Sequence, residues 1–172
     1  MNDIKICDKW LPENYFNELK DLVLSQNFVW NFNEISVYPS DKEFDDPQEY
    51  QFTHVLYANS KPTSEVYDLF SKLFFKLGAT ILLKAKLNLN PSTTEIKEKS
   101  FHTDIPILTT KNIQYKTGIL YFNTNDGYTK FKTGEIINSV ENRFVLFDGD
   151  LPHCGSSCTD QKRRVVLNLN WI

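Results

Sequence analysis

The segment Thr117-Gly118-Ile119-Leu120-Tyr121-Phe122-Asn123-Thr124-Asn125-Asp126-Gly127-Tyr128-Thr129-Lys130-Phe131-Lys132 decides how this chain is read. Two short runs rich in β-branched and aromatic residues flank Thr124 to Gly127, a cluster of turn-forming types. Such runs are strands, and Asp126-Gly127 predicts a hairpin turn between them, because glycine accepts the positive φ that tight hairpins need. Working outward, Lys84 to Leu89 alternates polar and apolar residues, and Glu135 to Val140, Arg143 to Phe147 and Arg164 to Trp171 are further strand candidates. Several short strands at close spacing predict an antiparallel sandwich or barrel.

The N-terminal half has a different period. Leu11-Pro12-Glu13 begins one helix, with proline in the first turn and Tyr15, Phe16, Leu19, Leu22 and Val23 at helical spacing. Thr63 or Ser64 caps a second, whose apolar face is Val66, Leu69, Phe70, Leu73, Phe74 and Leu77, with Gly78 as its stop. Between them, Ser36 to Gln51 is acidic, irregular and aromatic, a pattern that suits either a solvated loop or one that covers a substrate. Helices followed by a block of strands exclude a doubly wound sheet. The 172 residues suit one domain, with 1–80 as helical support and substrate loop and 81–172 as the strand core.

Composition narrows the function. With 41% apolar and 24% charged residues the chain has the make-up of a soluble globular protein. A net charge of -3 gives no electrostatic basis for binding nucleic acid. No stretch approaches the roughly 20 apolar residues of a membrane span, and Met1 to Trp10 lacks the charged-then-apolar pattern of a secretory leader. The expected location is the cytoplasm, or a host cytoplasm if the gene is a phage's. Cys7, Cys154 and Cys158 are an odd set that suggests no disulfide framework.

The chemistry rests on three histidines, His54, His102 and His153. Phe101-His102-Thr103-Asp104 puts His102 and Asp104 on one face if the segment is extended. His153 follows the strand Arg143 to Phe147 and a turn, and a barrel can bring that strand end against His102. Two imidazoles and one carboxylate then cap one face of a metal and leave the other positions open, the arrangement of non-haem Fe(II) oxygenases. Taken alone, His-x-Asp reads first as a structural histidine hydrogen-bonded to its neighbour. Arg163-Arg164, about ten residues beyond His153, adds a guanidinium fork suited to the far carboxylate of an anionic chelator. Adjacent strand residues point to opposite faces, so one of the two arginines serves. Arg164 shares its face with Val166, Asn168 and Asn170, whereas Arg163 shares its face with Val165, Leu167 and Leu169. A rival zinc site on Cys154 and Cys158 needs further ligands, and Cys7 is distant in the chain. His54 is expected to be structural or part of a pocket wall.

The ordered set His102-Thr103-Asp104, Thr117 to Asn123, Asn142 to Asp148, Pro152-His153 and Arg164-Val165-Val166-Leu167-Asn168 resembles the 2-oxoglutarate/Fe(II) dioxygenase superfamily, and within it the prolyl-hydroxylase-like branch with its small bacterial and phage members. The resemblance spans about residues 80 to 172. It implies a mainly β fold, a double-stranded β-helix (jelly roll) flanked by N-terminal helices. It implies Fe(II) held by His102, Asp104 and His153, with 2-oxoglutarate as co-substrate, Arg164 on its distal carboxylate and Tyr121 hydrogen-bonded there. Ascorbate is the accessory reductant such enzymes use. The implied partners are 2-oxoglutarate, O2 and a primary substrate, peptide or small molecule, whose C–H bond is hydroxylated as 2-oxoglutarate is decarboxylated to succinate. Two positions depart from the pattern: Val166 follows the arginine on its face, and the aromatic near the end of this strand in prolyl hydroxylases falls on or beside Asn170, with Trp171 one step off. The competing functional classes are a jelly-roll binding module without catalysis and a cupin-like metal-dependent hydrolase or isomerase.

Overall fold

A computed structural model of the chain describes residues 3–34 and 50–172. Its elements are β1 (Lys5–Cys7), α1 (Glu13–Leu24), β2 (Asn31–Asn33), β3 (Gln51–Ala58), β4 (Lys61–Pro62), a 3-10 turn (Tyr67–Phe70), α2 (Ser71–Leu77), β5 (Leu82–Pro91), α3 (Pro106–Thr110), β6 (Lys116–Tyr121), β7 (Tyr128–Phe131), β8 (Ile136–Asn138), β9 (Phe144–Asp148), β10 (His153–Gly155) and β11 (Arg163–Trp171). The larger sheet runs β1-β9-β6-β11-β5-β3-β2, with β4 beside β3, and the smaller runs β10-β7-β8. Every pairing is antiparallel. The fold is the jelly roll expected from the sequence. Apart from Tyr50 and Gln51, the substrate-loop segment Ser36 to Gln51 lies outside the described residues.

The larger sheet separates two cores. On its outer face Ala85, Leu87 and Leu89 of β5 and Val165, Leu167 and Leu169 of β11 meet Phe16, Leu19 and Val23 of α1 and Leu73 of α2. On its inner face Ile119, Tyr121, Val145 and Phe147 meet Phe131 and Ile137 of the smaller sheet. Helix α1 buries the stripe read from its sequence. The second helix is shorter than predicted. The Ser64 hydroxyl accepts the Val66 N–H at 3.2 Å and starts a tight turn, the α-helix begins only at Ser71, and Leu69 is exposed instead of joining the apolar face. Gly78 ends it in the left-handed conformation, φ 66°. No helix among the described residues is long and apolar enough to cross a membrane.

The hairpin expected at Thr124 to Gly127 is not one. Strand β6 pairs with β9 and β11, whereas β7 pairs with β8 and β10 in the other sheet, so this turn carries the chain between sheets. Positive φ occurs at Gly78 and Gly134 and not at Gly127. Gly127 is required for space: a Cβ there would sit 2.5 Å from the Ser157 carbonyl oxygen and 2.8 Å from Cδ of Arg164. The true hairpin joins β7 to β8 through Gly134, whose φ is 110°. The strand read as Glu135 to Val140 is the shorter β8, and Lys84 to Leu89 extends to Leu82–Pro91. Strand β3 was not anticipated.

Candidate active site

His102 and His153 lie opposite one another in an isolated antiparallel bridge, each backbone N–H donating to the other's carbonyl at 3.0 Å. Each ring is fixed by its own local backbone: Nδ1 of His102 meets the Ser100 carbonyl at 3.1 Å, and Nδ1 of His153 meets the Leu151 carbonyl at 3.1 Å. A carbonyl only accepts, so both Nδ1 atoms carry a proton, and in its neutral form each ring keeps a lone pair on Nε2. The Nε2 atoms lie 3.7 and 4.0 Å from Oδ1 of Asp104. One ligand atom from each of the three residues falls within 4.8 Å of the others. Burial pushes the His153 pKa down, against the pull of Asp104, which keeps the ring neutral.

Asp104 is itself positioned. Asn168 Nδ2 donates to its Oδ1 at 2.8 Å and Asn170 Nδ2 to its Oδ2 at 2.9 Å. Burial raises the carboxyl pKa, but His102 and His153, which attract the carboxylate when their rings are protonated, and the Asn170 amide outweigh it and hold the group below the ordinary carboxylate range. An ionised carboxylate and two neutral imidazoles, converging with free lone pairs, are the donor set that a hard or borderline divalent cation such as Fe(II) takes.

The same cavity holds Arg164 at its far end. Its side chain is 2% exposed, and no carboxylate among the described residues meets it. Nε donates to Ser139 Oγ at 2.8 Å and Nη2 to Thr129 Oγ1 at 3.1 Å. The guanidinium lies 5.5 Å from the centre of the Tyr121 ring, and Gly155 leaves room for Nη1. Tyr121 stands one layer behind the cavity and donates to Thr129 Oγ1 at 2.8 Å. Thr129 Oγ1 thus accepts twice, which leaves its own hydrogen to donate into the cavity it lines. A buried cation without a counter-charge is costly, so this end of the cavity is built for an anion. Arg163 points to the opposite face, where Nη2 donates to the Leu24 carbonyl.

The structure therefore gathers His102, Asp104, His153 and Arg164 around one cavity, with Tyr121 supporting Arg164. His54 is apart from them, its ring nitrogens engaged with the Val29 carbonyl at 2.8 Å and Ser64 Oγ at 2.6 Å, which makes it structural. Cys154 and Cys158 are buried, Cys7 is exposed on β1, and none of the three is in a disulfide. The second cluster of metal-ligand types, Asp126, Cys158 and Asp160, is part of a turn in which Asp126 accepts from the Thr159 N–H at 2.7 Å. Sequence reasoning missed Lys86, Asn88, Asn90 and Thr129, all of which line the cavity. The three β5 residues share one face of an alternating strand, whereas Thr129 shares its face of β7 with the core residue Phe131 and gave no signal.

No family model and no curated protein sequence matches the chain. Solved structures do. A prolyl-4-hydroxylase from Pseudomonas putida aligns over 100% of this chain and 93% of its own, with TM-score 0.65 and 12% identity. A prolyl hydroxylase from Trichoplax adhaerens, solved with a hypoxia inducible factor oxygen degradation domain peptide fragment, gives TM-score 0.70 at 14% identity over 100% of this chain and 84% of its own. A non-heme alpha ketoglutarate dependent epimerase from nogalamycin biosynthesis gives 0.66 at 8% identity over 99% and 78%. The fold of this chain is a jelly roll similar to those of solved prolyl hydroxylases and of a 2-oxoglutarate-dependent enzyme with another reaction.

Proposed function

We propose that this protein is an Fe(II)- and 2-oxoglutarate-dependent dioxygenase that hydroxylates a substrate C–H bond. The observation that carries this reading is Arg164, a buried guanidinium without a carboxylate partner among the described residues, on the same cavity as three convergent metal-ligand side chains. Bound iron would supply O2 activation coupled to decarboxylation of 2-oxoglutarate to succinate. The chain's part is to bind, orient and exclude water. Nε2 of His102, Nε2 of His153 and the Asp104 carboxylate hold the metal, and Asn168 and Asn170 fix the carboxylate's orientation. Arg164 and the Thr129 hydroxyl take the distal carboxylate of 2-oxoglutarate, with Tyr121 and Ser139 holding the guanidinium in place. Val166 and Ile119 form the apolar wall between the two ends of the cavity.

Anaerobic addition of Fe(II) and 2-oxoglutarate should give a weak visible metal-to-ligand charge-transfer band, and aeration should yield succinate. His153→Ala should remove both while the far-ultraviolet circular dichroism stays native. Absence of the band and of 2-oxoglutarate binding in the wild-type protein overturns the reading and favours a jelly-roll binding module. Turnover without succinate favours a metal-dependent hydrolase or isomerase. The likeness to prolyl hydroxylases makes a peptidyl proline the first primary substrate to assay, with and without ascorbate.

A further inference from the structure

Two lysines that line the cavity, Lys86 and Lys99, are left over once the proposed metal and co-substrate are in place, and Lys99 Nζ already donates to the Tyr50 carbonyl at 2.7 Å. A dication is offset by Asp104 and one carboxylate of 2-oxoglutarate, and Arg164 is offset by the other carboxylate. Lys86 remains. It sits on the inner face of β5, directly opposite Asn168 of β11 in the pairing register, and Asn168 is the residue that donates to Asp104. The Lys86 ammonium makes no hydrogen bond or ion pair among the described residues, although it lines the cavity beside His102 and Asp104. Burial and the neighbouring Lys84, against the attraction of Asp104, lower its pKa to about 8, so it is still largely protonated at neutral pH.

The surroundings of Lys86 are polar and unsatisfied. Oδ1 atoms of Asn88, Asn90 and Asn168 are buried without partners among the described residues. The Asn168 oxygen is fixed in that position, because its amide nitrogen is committed to Asp104. Buried polar groups are normally paired, so unpaired ones around a cavity mark ligand contacts. A substrate that offers only an apolar ring would leave both the ammonium and these amide oxygens unmet.

We infer that Lys86, flanked by Asn88 and Asn168, is the subsite for a carboxylate carried by the primary substrate close to the C–H bond that is oxidised. This rests on the dioxygenase reading and names its substrate class. Lys86 acts on specificity: the ammonium fixes the acid group, and the open amide oxygen of Asn168 accepts a hydrogen bond from the adjacent substrate N–H or O–H. The carboxylate belongs either to a free amino acid or to an Asp or Glu side chain of a peptide.

The test uses the full chain loaded anaerobically with Mn(II) and 2-oxoglutarate and titrated calorimetrically. The probes are free L-amino acids, their C-terminal amides, and capped peptides centred on Pro, Asp or Glu. A probe with a carboxylate should bind at least about tenfold more tightly than its uncharged counterpart, the scale of one partly desolvated charge pair. Which arm responds tells the free acid from the side chain. Lys86→Met should abolish the preference while 2-oxoglutarate affinity stays within about twofold, and Lys86→Arg should restore it. Equal binding of acid and amide, preference for the Pro peptide, or binding of no probe overturns the proposal. So does a Lys86→Met effect on 2-oxoglutarate instead of on the acid, which would assign the ammonium to the co-substrate. Failure of the wild-type protein to bind 2-oxoglutarate at all, seen before any probe is added, removes the underlying dioxygenase reading as well.

Discussion

Strand β11 has two faces that are both largely buried and are built from different chemistry. Toward the helices it presents Val165, Leu167 and Leu169, which join one apolar cluster. Toward the cavity it presents Arg164, Asn168 and Asn170, interrupted only by Val166. Strand β5 repeats the division, with Ala85, Leu87 and Leu89 outward and Lys86, Asn88 and Asn90 inward. The outer face supplies the burial that holds the fold, at about 25 cal/mol per Å² of apolar surface. The inner face buries a guanidinium and partly buries an ammonium and so works against stability. The proposed site lies where the sheet gives up stability, and variants on the two faces should separate these contributions.

The largest separation is expected at Arg164. Arg164→Ala should raise the 2-oxoglutarate dissociation constant by a factor of about 30 to several thousand, corresponding to about 2–5 kcal/mol for truncating one member of a buried charge pair. Arg163→Ala, whose side chain lies on the helix side, should change it by less than about threefold. The reverse ranking in equilibrium binding would mean that the two faces are misassigned.

On the opposite face, Leu167→Ala should lower the unfolding free energy by about 2–5 kcal/mol, since Leu167 is fully buried. Denaturant titration reads the loss, and 2-oxoglutarate affinity of the remaining folded protein should be unchanged. A weakened co-substrate site would show that the faces are not independent.

The smallest effect has the opposite sign. Lys86→Met should stabilise the fold at neutral pH by about 1–3 kcal/mol, an upper range set by a pKa displaced from 10.5 to about 8. Between those two values the unfolded chain binds the lysine proton and the folded chain does not, so wild-type stability rises with pH relative to the variant. The advantage of Lys86→Met should therefore be full below pH 8 and vanish as pH approaches 10.5. A pH-independent difference would place the ammonium in solvent.

Much of this was legible in the sequence. The alternation of β11 separates Arg164 from Arg163, and the α1 stripe and the Gly78 stop follow from helical spacing and left-handed capping. His102, Asp104 and His153 were legible as a set because few residue types ligate iron. The rest depends on contacts between distant segments. Gly127 reads as a hairpin glycine, yet its reason is the Arg164 side chain and the Ser157 carbonyl, 37 and 30 positions later (164 − 127 and 157 − 127). Lys86 was invisible as a site residue because an alternating strand normally sends its polar positions to water, and here both faces are covered. The second helix was overextended because Ser64 is also taken by His54 from β3, a strand the sequence reading did not contain.

The bridge between His102 and His153 joins positions 51 residues apart (153 − 102) through two backbone hydrogen bonds. In polymer terms, folding closes that loop before any metal arrives, an entropic term of about 3.5 kcal/mol by the (3/2)RT ln n rule. On the proposed reading, a cation would meet two histidines already held together, with Asp104 held beside them by Asn168 and Asn170, instead of three groups that it must collect. The chelate effect is thus built into the backbone, and metal affinity should follow the integrity of this single bridge as closely as it follows the identity of the ligands.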